Sequence, residues 1–317
     1  MKIISFVIPC YNSQSTIGDV LDELKAKMTE RPEYDYEIVT VNDRSPDRVI
    51  DVLERRAAED AHIKVVDFAK NAGKHVAILA GYNYAQGDYV VSLDDDGQCP
   101  VDRLWDLIKP LEDGHDMAMA KYDEVNEKGY KRLGSWTNHK VSQLLLDKPK
   151  DLRFTNFIAR QRYICKAMTQ YNNIFPYLEG LSLRVTSDVV LVPMTERSRL
   201  RGKSNYTFKK SLALWMNGFT AFSVRPLRLS SFVGALTALV GFIYGLVVIV
   251  RKLLHPGVSV GYSSLMVVIL FCSGMIMLIL GLAGEYIGRI YMSVNHYPQY
   301  VVRKKLNISE EDDRARR

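Results

Sequence analysis

Short apolar runs alternate with longer polar-apolar stretches along the first 120 residues. The runs are IISFVI (3–8), YEIVTV (36–41), IKVVDF (63–68), YVVSL (89–93) and DMAMA (116–120). They are short and almost continuously apolar, the pattern of strands buried on both faces. Between them, the segments near 14–30, 46–60, 74–86 and 101–112 read as helices. Strict alternation of this kind predicts an α/β domain, with a mostly parallel sheet and helices on both faces. Chemistry in such sheets gathers beyond the carboxyl ends of the strands. The loops of interest are therefore PCYNSQ, NDRSPD, AKNAGK and DDDGQCP.

From about 121 to 228 the pattern loses its period, mixing polar, aromatic and basic residues. This stretch is expected to complete the sheet and shape an acceptor site. Two uncharged apolar runs follow, Ser231–Val250 and Ser263–Gly284. Each is long enough to cross a bilayer core of about 30 Å. The short connection RKLLHPGVSVGY makes them an antiparallel hairpin. The expected division is a catalytic domain over 1–208, an amphipathic juxtamembrane segment over 209–228, two transmembrane helices over 229–286 and a tail over 287–317. Lys209, Lys210, Arg225 and Arg228 precede the hairpin, and Arg289, Arg303, Lys304 and Lys305 follow it. The connection holds only Arg251 and Lys252. The positive-inside rule then puts both termini and the large domain on the cytoplasmic side of a cell membrane. Gly241 and Gly245 form a GxxxG-like pair which, with Gly234, offers a face for self-association.

Composition changes this picture little. The start, MKIISFVIPCYN, reads as a first strand rather than a signal peptide. Cys10, Cys99, Cys165 and Cys272 are far apart and form no CxxC pair, which fits a reduced compartment. The net charge of +6 suits anionic lipid or phosphorylated substrates and is too mild to indicate nucleic acid.

The strongest chemical signal is LDDDGQCP at 93–100. Three carboxylates at a strand end repel one another unless a cation joins them. In extended geometry Asp94 and Asp96 face the same side, and Gln98 repeats the spacing with a neutral oxygen. Hard oxygen donors suit Mg²⁺ or Mn²⁺ shared with a diphosphate. After the second strand, Asp43 can accept from a nucleobase or ribose, while Ser45 and Asp47 suit a helix cap. Tyr11 and Asn12 stand where an aromatic can flank a base. No GxGxxG follows the first strand and no GxxxxGK[ST] occurs, which argues against dinucleotide and P-loop folds. RLRGKSNY at 199–206 gathers Arg199, Arg201 and Lys203 around Gly202, a loop suited to phosphate or to lipid headgroups.

VIPCYN, VNDRSPD, the stretch NAGKHVAILAGYNYAQGDYVVSLDDDGQCP, RGKSNY, FSVRPLRL and EYIGRIY together resemble the membrane-bound polyprenyl-phosphate glycosyltransferases. These are family 2 inverting enzymes with a GT-A nucleotide-sugar domain, related to dolichyl-phosphate mannose synthases and undecaprenyl-phosphate sugar transferases. The resemblance implies transfer of a sugar from a nucleotide donor, UDP-linked, to polyprenyl (undecaprenyl) phosphate, with a separate flippase acting afterwards. It implies that Pro9, Tyr11, Asn12 and Asp43 line the nucleotide pocket. Asp94, Asp96 and Gln98 would hold the metal, and Asp95 would lie beside the sugar. Lys121, Arg132 and Ser135 match residues that contact phosphates, and Arg199 and Lys203 match the loop that meets the acceptor. Two positions depart from the family pattern. Gly97 stands where many relatives have Leu, and Asn156 stands where an acidic residue is sometimes assigned to catalysis. A processive polysaccharide synthase would show QxxRW, which Gln161-Arg162-Tyr163 does not supply. A non-catalytic anchor with a degenerate nucleotide fold would not need Asp43, Asp94 and Asp96 intact.

Overall fold

The computed structural model describes residues 1–122, 154–174, 176–197, 225–255, 261–295 and 297–309. Five strands and four helices alternate first: β1 Lys2–Cys10, α1 Ile17–Met28, β2 Tyr34–Asn42, α2 Val49–Glu59, β3 Ile63–Phe68, α3 Lys74–Tyr84, β4 Tyr89–Ser92, α4 Leu104–Glu112 and β5 Met117–Tyr122. A short 3₁₀ turn, Val101–Arg103, leads into α4. These match the elements expected from the apolar pattern. The stretch without a period adds β6 Ile158–Gln161, α5 Arg162–Thr169, α6 Leu178–Val185 and β7 Val189–Met194.

Among the described residues the sheet has eight strands, in the order β7-β5-β6-β4-β1-β2-β3-β8, where β8 is Val302–Leu306. The pairs β1–β2, β2–β3, β1–β4 and β5–β7 are parallel. Strand β6 runs antiparallel to β4 and β5, and β8 runs antiparallel to β3. The chain builds outward from β1 to β2 and β3 on one side and to β4 on the other. That reversal makes the β1/β4 seam a topological switch point, where open α/β sheets hold ligands.

Alternation along β1 divides the core. Ile4, Phe6 and Ile8 join Leu21 and Leu24 of α1, Leu53 of α2 and Leu107 of α4 in one buried cluster. Val7 points to the opposite face, toward α3. A Cβ at Gly81 of α3 would lie 2.3 Å from Val7 Cγ1, so glycine lets this helix lie close against the sheet.

Strand β8 lies within the stretch expected to be a separate tail. Residues 1–218 and 296–317 make one compact unit, and 219–295 make a second. The second contains two long helices, α7 Arg225–Leu254 and α8 Tyr262–Val294. At 1.5 Å per residue they measure about 45 and 50 Å, longer than a bilayer core. Their apolar windows are Ser230–Arg251 and Phe271–Val294, long and apolar enough to cross a membrane. Phe242 and Leu278 are each 72% exposed, an apolar surface that water disfavours and lipid accepts. Gly234 meets Ile279 of the neighbouring helix, whereas a Cβ at Gly241 or Gly245 would meet nothing within 4 Å. Glu285 and Arg289 pair one turn apart on α8 at 2.8 Å.

Candidate active site

The loops after β1, β2, β3 and β4 converge at the switch point. Two of them hold non-glycine residues in the left-handed region, Asn12 at φ 60° and Arg44 at φ 50°. Such conformations persist only where surrounding contacts fix them. Here the Asn12 amide donates to Ser45 Oγ at 2.7 Å, Gln14 N donates to Asp47 Oδ2 at 2.8 Å, and Asp43 N donates to Cys10 O at 3.1 Å. Ser45 therefore ties the β2 loop to the β1 loop rather than capping α2. Arg48 occupies the N-cap of α2, and Asp47 before it accepts from Val49 N at 3.2 Å through Oδ1. Tyr11 is 41% exposed on the rim, while Pro9 sits buried in β1.

Asp43 is 3% exposed, and both carboxylate oxygens accept from backbone amides: Ala72 N at 2.6 Å and Gly73 N at 2.8 Å. Asn71 Nδ2 adds a bond to the Asp43 carbonyl at 2.9 Å. Burial pushes the Asp43 carboxyl above its ordinary range, and these two amides oppose the shift. In this structure the residue shapes the loop leading into α3. Only its remaining lone pairs are available to a ligand. Gly73, at φ 93°, precedes α3 in a conformation that glycine adopts without strain.

That loop delivers Lys74 to the acidic turn, where its Nζ lies 2.6 Å from Asp94 Oδ1. Sequence reasoning did not single out Lys74. Its significance comes from the approach of the α3 amino end to the turn beyond β4, which no local motif encodes. The next residue, His75, has Nδ1 accepting from Leu178 N at 3.3 Å, and its ring stacks on Tyr177 at 5.8 Å. Burial, with Lys74 adjacent, lowers His75 to about 4, so a neutral ring joins α3 to α6 at pH 7.

The extended geometry expected for Asp94–Asp96 is not what forms. Strand β4 ends at Ser92, the chain turns at Asp95–Asp96, and Gly97 takes φ 76°. Extended backbone would hold the Asp94 and Asp96 carboxylates on one face, where they repel each other, and the chain turns instead. One Asp95 oxygen accepts from Tyr11 N at 3.0 Å across the β1/β4 seam, and the Asp95 carbonyl accepts from Thr16 Oγ1 at 2.7 Å. Burial, reinforced by Asp94 and Asp96, pushes the Asp95 carboxyl up to about 6 against the pull of that amide. Asp96 Oδ1 accepts from the Gln98 amide at 3.2 Å. Gln98 is fixed from outside: its carbonyl accepts from Arg197 N at 3.1 Å, and its Nε2 donates to the Arg197 carbonyl at 3.3 Å. The Arg197 guanidinium then holds Glu23 at 2.7 Å and also Asp102.

Among the described residues no three His, Cys, Asp or Glu side chains cluster to hold a metal. The donor set Asp94, Asp96 and Gln98 is all oxygen, with two carboxylates. It fits a hard cation that takes its remaining oxygens from a substrate and water, the usual habit of Mg²⁺. Lys121 is exposed, next to last in β5, and Asn156 is exposed ahead of β6. Arg132, Ser135, Arg199, Arg201 and Lys203 lie outside the described residues.

A family model for glycosyl transferase family 2 matches residues 5–170, which contain all four loops. The chain belongs to glycosyl transferase family 2. A second model, the GtrB C-terminal hairpin, matches residues 225–290 and so covers all of α7 and most of α8 of this family 2 protein. An uncharacterized glycosyltransferase, YkcC, of Bacillus subtilis is 34% identical, over 96% of this chain and 94% of that protein. The undecaprenyl-phosphate 4-deoxy-4-formamido-L-arabinose transferase of Proteus mirabilis is 31% identical over 98% and 97% of the two chains. The bactoprenol glucosyl transferase of Shigella phage SfII is 30% identical over 96% and 98%. Among solved structures, mannosyl-3-phosphoglycerate synthase from Rubrobacter xylanophilus shares the fold, with a TM-score of 0.51 over 73% of this chain and 75% of that one, at 19% identity.

Proposed function

We propose that this family 2 glycosyltransferase is metal-dependent and moves a sugar from a UDP-linked donor to undecaprenyl phosphate or a similar polyprenyl phosphate. Configuration at the anomeric carbon is inverted, and the product is a lipid-linked monosaccharide for cell-envelope glycans. The observation that carries this reading is the union, in one chain, of the acidic turn at a family 2 switch point with the GtrB-type hairpin. The names of the polyprenyl-phosphate-using relatives, aligned over nearly their whole length, support the acceptor class.

Asp94, Asp96 and Gln98 would hold a divalent ion, Mg²⁺ or Mn²⁺. Such an ion supplies neutralisation of the negative charge that develops on the departing diphosphate. Lys74, already 2.6 Å from Asp94, brings a second positive charge to the same end of the site. Pro9, Tyr11, Asn12 and Asp43 form the nucleotide pocket, and Asp95 lies under the sugar. On the acceptor side Arg199, Arg201 and Lys203, with Lys121, Arg132 and Ser135, hold phosphate.

A lipid monophosphate has a second pKa of about 6, so at pH 7 it is mostly dianionic and already nucleophilic. Its oxygen forms the new bond to the anomeric carbon while the bond to the diphosphate oxygen breaks. No proton has to be removed, so Asn156 in place of a carboxylate is no obstacle. The protein's task is alignment and charge neutralisation. The catalytic domain and both termini are cytoplasmic, where nucleotide sugars are made, and a separate flippase carries the product across.

The test is incubation of the purified full-length protein with a panel of nucleotide sugars and either undecaprenyl phosphate or undecaprenol. A glycosyl phosphate cleaved by mild acid is expected from the phosphate alone. A product that resists mild acid, or equal use of the alcohol, would refute the acceptor assignment.

A further inference from the structure

Strand β8 reaches the turn that carries Asp43 through one buried carboxylate. Asp67, near the end of β3, is 1% exposed. A carboxylate at that depth needs partners on each oxygen. Its Oδ1 accepts from Asn42 Nδ2 at 2.7 Å, and its Oδ2 accepts from Arg303 Nε at 2.7 Å and Nη2 at 2.6 Å. The two Arg303 nitrogens converge on a single oxygen from the half-exposed edge of the sheet.

The register places Arg303 there deliberately. Asp67 lies opposite Lys304 and Phe68 lies opposite Val302, so Arg303 is the extra residue of a β-bulge. Bulges of this kind redirect a side chain, and they recur beside active sites. The neighbouring contacts fix the bulge: Ala69 N donates to the Val301 carbonyl at 2.8 Å, and Tyr300 stacks on Phe68 at 4.8 Å.

On its other side Asp67 holds Asn42, which is 3% exposed and immediately precedes Asp43. Asn42 Oδ1 accepts from Ser45 N at 3.1 Å, closing the turn that presents Asp43 and Arg44. With Asp67 on its amide nitrogen and Ser45 on its oxygen, the Asn42 side chain is committed to one orientation. Loss of the Asp67 contact would free that amide to flip and release the turn.

We propose that Arg303 is a positioning residue for the nucleotide pocket: through Asp67 and Asn42 it sets the Asn42–Ser45 turn that carries Asp43. The proposal rests on the reading of Asp43 as part of that pocket.

The experiment uses the full-length protein in detergent micelles, with UDP and, as a second probe, GDP titrated calorimetrically. Thermal unfolding and the KM for undecaprenyl phosphate are measured alongside, with whichever nucleotide sugar the wild type turns over. Arg303→Ala should weaken nucleotide binding about tenfold, with the lipid KM changed less than about twofold. Arg303→Lys keeps the charge but not the fork and should fall between. The double variant Asp67→Asn/Arg303→Gln leaves Asn42 an acceptor and no buried unpaired charge, so it should recover binding to within about threefold of wild type. If Arg303→Ala does not fold, Arg303→Lys and the double variant decide. Wild-type affinity in Arg303→Lys, poor binding in the double variant, or proportional weakening toward both substrates would overturn the proposal. If the wild type itself binds neither nucleotide, the pocket reading falls first, and this proposal with it.

Discussion

Replacing Asp43 with Asn keeps the shape of the side chain and removes one acceptor. In the native loop the carboxylate accepts from two amides, Ala72 N at 2.6 Å and Gly73 N at 2.8 Å, in a pocket that leaves it 3% exposed. The Asn oxygen can serve one of them, and its NH₂ then faces the other N–H. A hydrogen bond to a charged group contributes about 1.5–3 kcal/mol, and a buried donor left without a partner costs about 1–3 kcal/mol. Relief of the burial penalty that raises this carboxyl offsets part of the loss. A net cost of about 2–3 kcal/mol follows. For a domain of this size that lowers the unfolding midpoint by about 4–12 °C. The same loss loosens Gly73 and with it the Lys74–Asp94 contact, so nucleotide affinity should fall by up to about two orders of magnitude. Asn71→Ala, which removes one neutral hydrogen bond, is the control at about 1 kcal/mol. Scanning fluorimetry and calorimetric titration with UDP measure both effects. Unchanged affinity in a folded Asp43→Asn protein with a lowered midpoint would show that the loop anchor does not shape the pocket. An unchanged midpoint would refute the hydrogen-bond reasoning itself.

Three further outcomes are expected. Asp96→Asn should leave the protein folded and in the membrane fraction while lowering turnover at least about a hundredfold, since a hard cation loses a charged ligand; near-normal turnover in Mg²⁺ would remove Asp96 from the metal site. Burial works to raise the Asp60 carboxyl, but hydrogen bonds from Lys25 and His62 outweigh it and hold it at about 2. A depressed carboxylate contributes stability above its unfolded pKa and loses it as pH falls, here between about 4 and 2. Asp60→Asn should therefore cost about 2 kcal/mol at pH 7 and little at pH 2, as denaturant titrations at the two pH values would show. A reporter fused after Arg317 should be active only as a cytoplasmic fusion, and periplasmic activity would invert the proposed orientation.

The sheet was legible where burial on both faces leaves an apolar run, as in β1 to β5. It was not legible in β6, whose four residues include Arg160. That side chain is 1% exposed and donates to Tyr82 Oη at 2.7 Å and to Ser92 Oγ and Ser182 Oγ at 3.2 Å. A buried guanidinium held by neutral oxygens, with its Nε left unpartnered, reads in sequence as a surface residue. Strand β8, VRKKL, shows no apolar alternation because only the edge of β3 makes it a strand. In the site, Asp94, Asp96 and Asp43 announced themselves as acids at strand ends. Lys74, His75 and Arg197 did not, because each matters through a partner 20 to 174 positions away in the chain.

Strand β8 also fixes a parity. The sheet is begun before the long helices and closed after them, on the edge of β3. In the proposed topology, whatever lies between leaves and returns to the same side of a bilayer, so the number of crossings is even. The ribosome delivers this edge strand last, and until then β3 presents an unpaired row of amides and carbonyls that invites mispairing. In that topology, completion of the sheet waits on correct passage of the hairpin. There, a chain whose second helix fails to cross leaves its final strand on the far side of the membrane, with its sheet open at β3 and its Asp67 without the Arg303 guanidinium.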